Sequence, residues 1–331
     1  MAVVFMDGFD SYNGTGVAPT GVQARWTGAF ASLVAGRFGT GQAATWTNGT
    51  GAATSPLFTA VAGFTCGFGV FMTTFSDTAR AFTFLAGATV HVALRFNVDG
   101  SITALRDTTV LGSSAAGVLL GSTWHTVECE VVISDTIGRV TVYVDGVSVL
   151  NLTSQDTRNG ATTAVDTFSR VSAGPTLRLD DLYITDSATK PTAALRIETL
   201  YPTSDGATLN WTPSTGVSHF GVVDEAQAST TDYISASLVG DVDELNMGDL
   251  ATTPTAIEAV DVVLYALKTD ATARTLFPGV KSGATISDGT AVPLSTTGGR
   301  FDRILAVDPN TSAAWTAAAV NALVARPKVA S

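Results

Sequence analysis

The sequence predicts an all-β protein: an antiparallel β-sandwich followed by a second β-rich domain with a short C-terminal helix. Three observations predict it. Apolar residues recur with period 2 rather than 3.6 over most of the chain. Asp-Gly pairs fall between alternating runs, where both residues tolerate the positive φ of a tight hairpin turn. Of 331 residues only 14% are charged, against about 25% in ordinary globular chains, while 45% are hydrophobic. Thr, Ser, Gly and Ala stand in for charge, and that composition excludes a disordered chain.

The elements follow in order. Strands are expected at 64–75 and 81–85. Arg95-Phe96-Asn97-Val98, Asp99-Gly100 and Ser101-Ile102-Thr103-Ala104-Leu105 form strand, turn and strand. Thr126 to Ile133 alternates polar with apolar, so Glu128 and Glu130 share one face and Val127, Cys129 and Val131 the other. A turn-rich link leads to Val140-Thr141-Val142-Tyr143-Val144, and Asp145-Gly146 then reverses the chain into Val147-Ser148-Val149-Leu150. A last strand of this half spans 177–185. The polar run Asp186-Ser187-Ala188-Thr189-Lys190-Pro191 breaks the pattern. It marks the expected boundary between a domain at 1–190 and one at 191–331.

In the second domain, strand-like runs cover 195–200, 207–211, 256–267 and 303–307. Val260 to Leu267 suits a strand or a buried helix, and its β-branched content favours the strand. Thr316 to Ala325 reads as a short helix that Pro327 stops. Eleven acidic residues and no Lys or Arg lie between Arg196 and Lys268. This run, with Asp224, Glu225, Asp232, Asp241, Asp243, Glu244 and Asp249, is expected as a solvated acidic loop that meets a basic neighbour or bridging cations.

The net charge of −11 excludes a binder that relies on a phosphate-neutralising surface. No apolar stretch reaches the ~18 residues of a membrane span, and the first residues lack a basic leader followed by an apolar core. The expectation is therefore a protein made in a cytoplasm. Two cysteines, Cys66 and Cys129, make no disulfide framework. Each is expected as a buried small hydrophobe, with a Cys66–Cys129 bond as the minority alternative.

The search for chemistry is largely negative. E-x-D-x-x-E, G-x-S-x-G, H-E-x-x-H, P-loop and G-x-G-x-x-G patterns are absent. Glu128 and Glu130 lie about 7 Å apart along a strand, which leaves a glycosidase pair open; two solvated strand acids is the favoured alternative. His91, His125 and His219 fall in separate elements, with packing as their expected role. Asp7, Asp10, Tyr12 and Asn13 near the first strand, with Asp180-Asp181 in a late one, are hard oxygen donors suited to Ca²⁺. They are also ordinary turn and strand-end residues. No catalytic, cofactor-binding or metal residue is assigned and no cofactor is expected, calcium being the alternative. Trp26, Trp46, Phe68, Phe71 and Phe75 could form a sugar-stacking platform, but core packing is the expected role within the strand-rich block.

Two blocks of residues carry a resemblance. Phe9-Asp10-x-Tyr12, Gly36-Arg37-x-Gly39-x-Gly41, Trp124-His125-x-Val127-Glu128, Gly138-x-Val140-x-Val142-Tyr143-Val144-Asp145-Gly146 and Leu179-Asp180-Asp181-Leu182-Tyr183 resemble a concanavalin A-like, laminin G-like sandwich over most of 1–190. Leu200-Tyr201-Pro202-Thr203-Ser204-Asp205-Gly206, Trp211-Thr212-Pro213, Val223-Asp224-Glu225, Thr231-Asp232-Tyr233-Ile234 and Asp308-Pro309-Asn310-Thr311 with Trp315-Thr316 resemble a C-terminal region of tailed-bacteriophage virion proteins. Together they imply a virion structural protein on the particle surface, as head decoration, fibre or tail component. It is expected to be non-catalytic and homo-oligomeric, with other virion proteins as partners and 191–331 as the anchoring domain. The alternative function is a lectin-like, carbohydrate-binding module for host attachment, with a host surface glycan as partner.

Overall fold

The computed structural model describes residues 1–12, 25–28, 31–47, 52–75, 81–170, 176–226 and 228–331. The described chain is all-β apart from one short helix and one short 3-10 turn, and it divides into two compact units. Residues 1–10 and 25–197 build the first; residues 198–331 build most of the second.

The first unit holds strands β1 (Val3–Asp7), β2 (Thr27–Gly28), β3 (Ser32–Ala35), β4 (Gln42–Trp46), β5 (Ala53–Thr54), β6 (Gly63–Met72), β7 (Phe82–Ala86) and β8 (Thr89–Phe96). It continues with β9 (Ile102–Arg106), β10 (Thr109–Ser113), β11 (Thr123–Val132), β12 (Gly138–Val144), β13 (Val147–Gln155), β14 (Thr167–Arg170) and β15 (Leu177–Thr185). They form two antiparallel sheets. The larger runs β13-β12-β11-β6-β15-β4-β3, with β1 also on β15; the smaller runs β10-β9-β8-β7-β14-β5-β2. The first and last strands of the unit are thus neighbours.

Period-2 alternation explains how the sheets face each other. Phe64, Cys66, Phe68 and Val70 of β6 and Val127, Cys129 and Val131 of β11 are all buried. They meet Phe82, Phe84 and Phe168 of the smaller sheet, with ring centroids 4.9 Å apart for Phe64–Phe84 and 4.5 Å for Phe68–Phe82. Offset and tilted rings at such separations add to the area term. Asp145 (φ 50°) and Gly146 (φ 81°) make the β12–β13 turn that the sequence predicts. Cys66 and Cys129 face each other directly across β6 and β11, both as free thiols.

The second unit holds β16 (Pro202–Leu209), β17 (Thr212–Pro213), β18 (Ile234–Ser235), β19 (Asp243–Met247), β20 (Val260–Ala266), β21 (Thr275–Ser282), β22 (Thr285–Ser287), β23 (Val292–Pro293), β24 (Gly299–Leu305), helix α1 (Ala317–Asn321) and β25 (Val324–Val329). Its main sheet runs β16-β19-β25-β21-β22; β20 and β24 pair separately. Val262, Val280, Trp315, Val320 and Leu323 form its core cluster.

Three expectations for this unit need correction. Residues 195–200 form no strand; Arg196 and Ile197 instead make hydrogen bonds to the side chains of Thr40 and Asp181, in place of a ladder. The strand expected at 207–211 lies earlier, as β16. The helix stops at Asn321 rather than at Ala325. Thr316 caps it, its hydroxyl accepting from the Ala319 N–H. Residues 324–329 then pair with β21, with Pro327 opposite Pro278. Ladder pairing outweighs the local helix preference of an alanine-rich stretch.

Trp315 is 3% exposed and its Nε1–H donates to the Leu305 carbonyl at 2.9 Å. Trp315→Ala is expected to cost about 3–5 kcal/mol, read as a lowered denaturation midpoint with an unchanged denaturant slope for folded, two-state material.

Candidate functional site

The residues with the most chemical potential gather on the outward face of the larger sheet. Two glycines in its central strand make this geometry. A methyl group built on Gly67 would lie 2.2 Å from Tyr183 Cζ, and one on Gly69 would lie 2.8 Å from Arg37 Cδ. The strand therefore offers a bare strip on which a tyrosine ring and an arginine chain lie flat.

Glu128 stands opposite Gly67, and so does Tyr183 on the other side. The Tyr183 hydroxyl donates to Glu128 Oε1 at 2.7 Å, and Lys190 Nζ sits 2.9 Å from Glu128 Oε2. Lys190 Nζ also lies 5.2 Å from the centroid of the Tyr143 ring, in cation–π range. Lys190 donates its backbone N–H to Glu130 Oε1 at 2.9 Å, and Arg139 approaches Glu130 Oε2 at 3.5 Å. Burial, followed by the Glu128 charge, pushes the Tyr183 hydroxyl far above its ordinary pKa, so it stays a proton donor.

The cover over these groups is the chain itself. Leaving β15, residues 186–197 fold back as a strap. The Ser187 carbonyl accepts from Thr65 Oγ1 at 2.8 Å, the Ala188 carbonyl accepts from Arg139, and the Ile197 N–H donates to Asp181 Oδ1 at 2.7 Å. As a result Glu128 is 1% and Glu130 6% exposed. This corrects the expectation of two solvated strand acids. It also removes the open cleft that a glycosidase pair needs, because Glu128 is already held by Tyr183 and Lys190. Alternation placed both acids on one face correctly, but it carries no information on what lies over that face.

A register shift in β15 between Asp180 and Tyr183, with Asp181 at φ 50°, turns two consecutive carboxylates toward Arg37. Arg37 Nε lies 2.6 Å from Asp181 Oδ2, and the Arg37 N–H donates to Asp180 Oδ2 at 2.8 Å. Burial and the adjacent Asp181 charge push the Asp180 carboxyl up to about 7, against the opposing pull of the Arg37 and Asp181 N–H groups. Burial likewise raises Asp181, with the Arg37 charge working against it.

These contacts decide the fit of calcium. Asp7 is engaged by Trp26 Nε1–H at 2.8 Å, by the Phe9 N–H and by Arg25. Asp10 accepts from the Gln42 N–H at 2.6 Å. Asn13 lies outside the described residues. With Asp180 and Asp181 held by Arg37, all four of these carboxylates already accept protein hydrogens. Among the described residues no three His, Cys, Asp or Glu side chains gather as a metal-holding group.

Each of the three histidines is engaged by neighbouring protein groups. His91 accepts from the Asn159 N–H on Nδ1 and meets Thr162 Oγ1 at 2.9 Å through Nε2; burial, then Arg158, lowers its pKa. His125 Nε2 accepts from the Leu120 N–H while Nδ1 faces Asp145 at 2.7 Å. His219 Nδ1 lies 2.5 Å from Asp243 Oδ2. The acidic run is corrected in part. Asp224, Glu225 and Asp249 are exposed, but Asp243 and Glu244 are buried on β19, and Glu244 is flanked by Lys281 and Arg326. The cations come from beyond residue 267, so a composition window could not see them. Trp26, Trp46 and Phe68 are in the core. Phe71 and Phe75 are half-buried; Phe71 lies between Trp124, at 5.7 Å, and the Arg178 guanidinium, at 4.7 Å.

No protein-family model matches the chain, and no curated protein does. Solved structures do resemble it. Trypanosoma rangeli sialidase with the inhibitor DANA is 14% identical over 49% of this chain and 27% of its own, with a TM-score of 0.37. A variant of alginate lyase Aly36B bound to an alginate tetrasaccharide is 13% identical over 60% of this chain and all of its own, at 0.39. An endo-β-1,4-glucuronan lyase from the fungus Trichoderma reesei is 12% identical over 49% and 87%, at 0.35. The chain spans only 18% of a further sialidase. Likenesses this distant assign no activity or substrate. They do correct the expectation that the chain is not an enzyme: the structures it resembles are enzymes, so that expectation is dropped. A β-sandwich hosts catalysis as readily as scaffolding.

Two outcomes test the buried network. Glu128→Gln leaves Lys190 facing a neutral partner under the strap and is expected to cost about 3–5 kcal/mol. Lys190→Met added to it should restore part of that loss, giving a non-additive double-mutant cycle in chemical denaturation. The second concerns pH. A carboxyl with a raised folded-state pKa binds its proton more tightly when folded, so its contribution favours folding below the unfolded value and is lost as pH climbs toward about 7. Between pH 4 and 7 the wild type should therefore lose stability relative to Asp180→Asn, measured as the divergence of their unfolding free energies.

Proposed function

We propose that the chain is a structural protein on the surface of a tailed-bacteriophage particle, as head decoration, fibre or tail component. It would assemble in the host cytoplasm with other virion proteins and with further copies of itself. The reading rests on the sequence resemblance, and an observation in the second unit gives it its main support. Several of the residues that carry the resemblance in the second half, Asp205, Asp308 and Trp315 among them, pin that unit's turns and core.

Asp308 accepts from Ser282 Oγ at 2.6 Å, from the Asn310 N–H at 2.9 Å and from Thr311 Oγ1 at 3.0 Å. Those bonds lower its pKa against the effect of burial, so the turn is pinned by a charged acceptor. Trp315 follows in the core. Asp205 accepts from the N–H groups of His219 and Phe220, tying the second motif to the 3-10 turn at Phe220–Val222. A motif spent on turns and packing is what a durable shell component needs.

The first unit supports the same reading. Its most reactive-looking carboxylates fasten a strap across a sheet face. A net charge of −11 keeps such a surface soluble and off nucleic acid. The exposed acids Asp224, Glu225 and Asp249 leave the second unit a negative surface to steer toward a basic neighbour.

Mass spectrometry of purified particles, quantified against the major shell protein, tests the proposal. The chain should be present at a fixed, multi-copy stoichiometry that survives a high-salt wash. Its absence from intact particles, with abundant free protein in the lysate, would overturn it.

A further inference from the structure

One surface of the first unit is organised beyond what a scaffold requires. Where β8 turns into β9, beside edge strand β10, the surface holds a recess of about 410 Å³ lined by Arg95, Asn97, Val98, Asp99, Ser101, Thr103 and Ser113. Arg95, Thr103 and Ser113 stand opposite one another across the three strands, so they share one face. Phe96 and Ile102, one position along, are buried and point the other way, toward the sandwich core.

The side chains are pre-set by one another. Arg95 Nε donates to Asn97 Oδ1 at 2.8 Å. Asn97 Nδ2 donates to Ser101 Oγ and to Thr103 Oγ1, each at 2.8 Å, and Thr103 Oγ1 lies 2.8 Å from Ser113 Oγ. Ser101 donates its N–H and its hydroxyl to the same oxygen of Asp99, at 2.9 and 2.7 Å. The tip is clamped from below. The Gly117 N–H donates to the Asp99 carbonyl and the Leu119 N–H to the Gly100 carbonyl, while the Ile102 N–H reaches Ser114 Oγ.

This wiring consumes Arg95 Nε and Asp99 Oδ1. Among the described residues no hydrogen bond is made by Arg95 Nη1 or Nη2, or by Asp99 Oδ2. The recess therefore presents two outward donors on a cation and one outward acceptor on an anion, fixed on a rigid frame. Its formal charges cancel, which disfavours a strongly charged ligand. Val98, 62% exposed, supplies an apolar rim.

We propose that this recess binds a neutral saccharide residue. A pyranose hydroxyl both donates and accepts, so adjacent hydroxyls can meet the N–H groups of Arg95 Nη1 and Nη2 and the Asp99 carboxylate together. The C–H face of the ring packs on Val98. Little side-chain freedom is left to lose on binding, because Asn97, Ser101 and Thr103 already hold one another. The inference stands apart from the particle-surface reading: a lectin-like recess functions equally on a free protein.

The full-length chain, labelled and screened on an array of neutral and acidic glycans, tests this, with titration of the best hit. Binding to neutral glycans is expected, weakened at least about tenfold by Arg95→Gln and by Asp99→Ala. Arg95→Gln removes the outward N–H groups of Nη1 and Nη2 while keeping a donor for Asn97. Both variants should keep the wild-type melting temperature to within a few degrees, which separates lost contact from lost fold; if either unfolds, Val98→Asp at the exposed rim gives the same readout. No binding at millimolar glycan, binding confined to acidic glycans, or binding that well-folded variants leave unchanged would overturn the proposal.

Discussion

The first unit depends on a missing pair of side chains. Because β6 carries glycine at 67 and 69, Tyr183 and Arg37 lie against the sheet and meet carboxylates that would otherwise be stranded. A sheet face bearing Glu128, Glu130, Asp180 and Asp181 is costly to cover, since each buried charge needs a partner and its remaining lone pairs need donors. The chain meets that requirement locally. Residues 186–197 bring Lys190 and a series of backbone groups, the sheet supplies Arg139 and Tyr183, and the turn between β3 and β4 supplies Arg37. The outcome is a sandwich packed on both faces of its larger sheet, apolar inside and ionic outside.

Much of this fold was legible. Alternation in 126–133 and 140–144 and the Asp-Gly turns fixed strands, faces and hairpins, because those signals are local and each has a steric cause. The strand over 177–185 was found with its observed limits. What failed was non-local. The segment after residue 185 reads as a linker because it is polar and irregular, yet its bonds run to residues 65, 130, 139 and 181. Alternation puts the carboxylates at 128 and 130 on the right face but says nothing of their exposure to solvent, since burial from above leaves no trace in a strand's own period. Pro327 reads as a stop signal yet sits inside β25, because its pairing with Pro278 of β21 is decided by residues 49 positions away.

The site shows the same division. The aspartates at 7, 10, 180 and 181 were singled out for their oxygen chemistry, and β1 does lie beside β15. Their partners Arg25, Trp26, Arg37 and Gln42 are scattered through loops and short strands, so nothing in the spacing of the acids revealed that they were engaged. The recess at the β8–β9 turn went unnoticed for a different reason. Asn97 and Asp99 were assigned to a hairpin, which they form, and turn chemistry hid the outward row that Arg95, Thr103 and Ser113 build across three strands.

Amide hydrogen exchange on the intact chain tests the central claim most directly, since exchange reports whether a backbone donor is held or free. If residues 186–197 seal the sheet, the N–H groups of Lys190 and Ile197 should exchange as slowly as those in the middle of β6, despite lying outside any strand. Exchange at the rate of an unstructured peptide at both positions, with β6 protected, would mean that the segment hangs free and that the carboxylates beneath it are open to water.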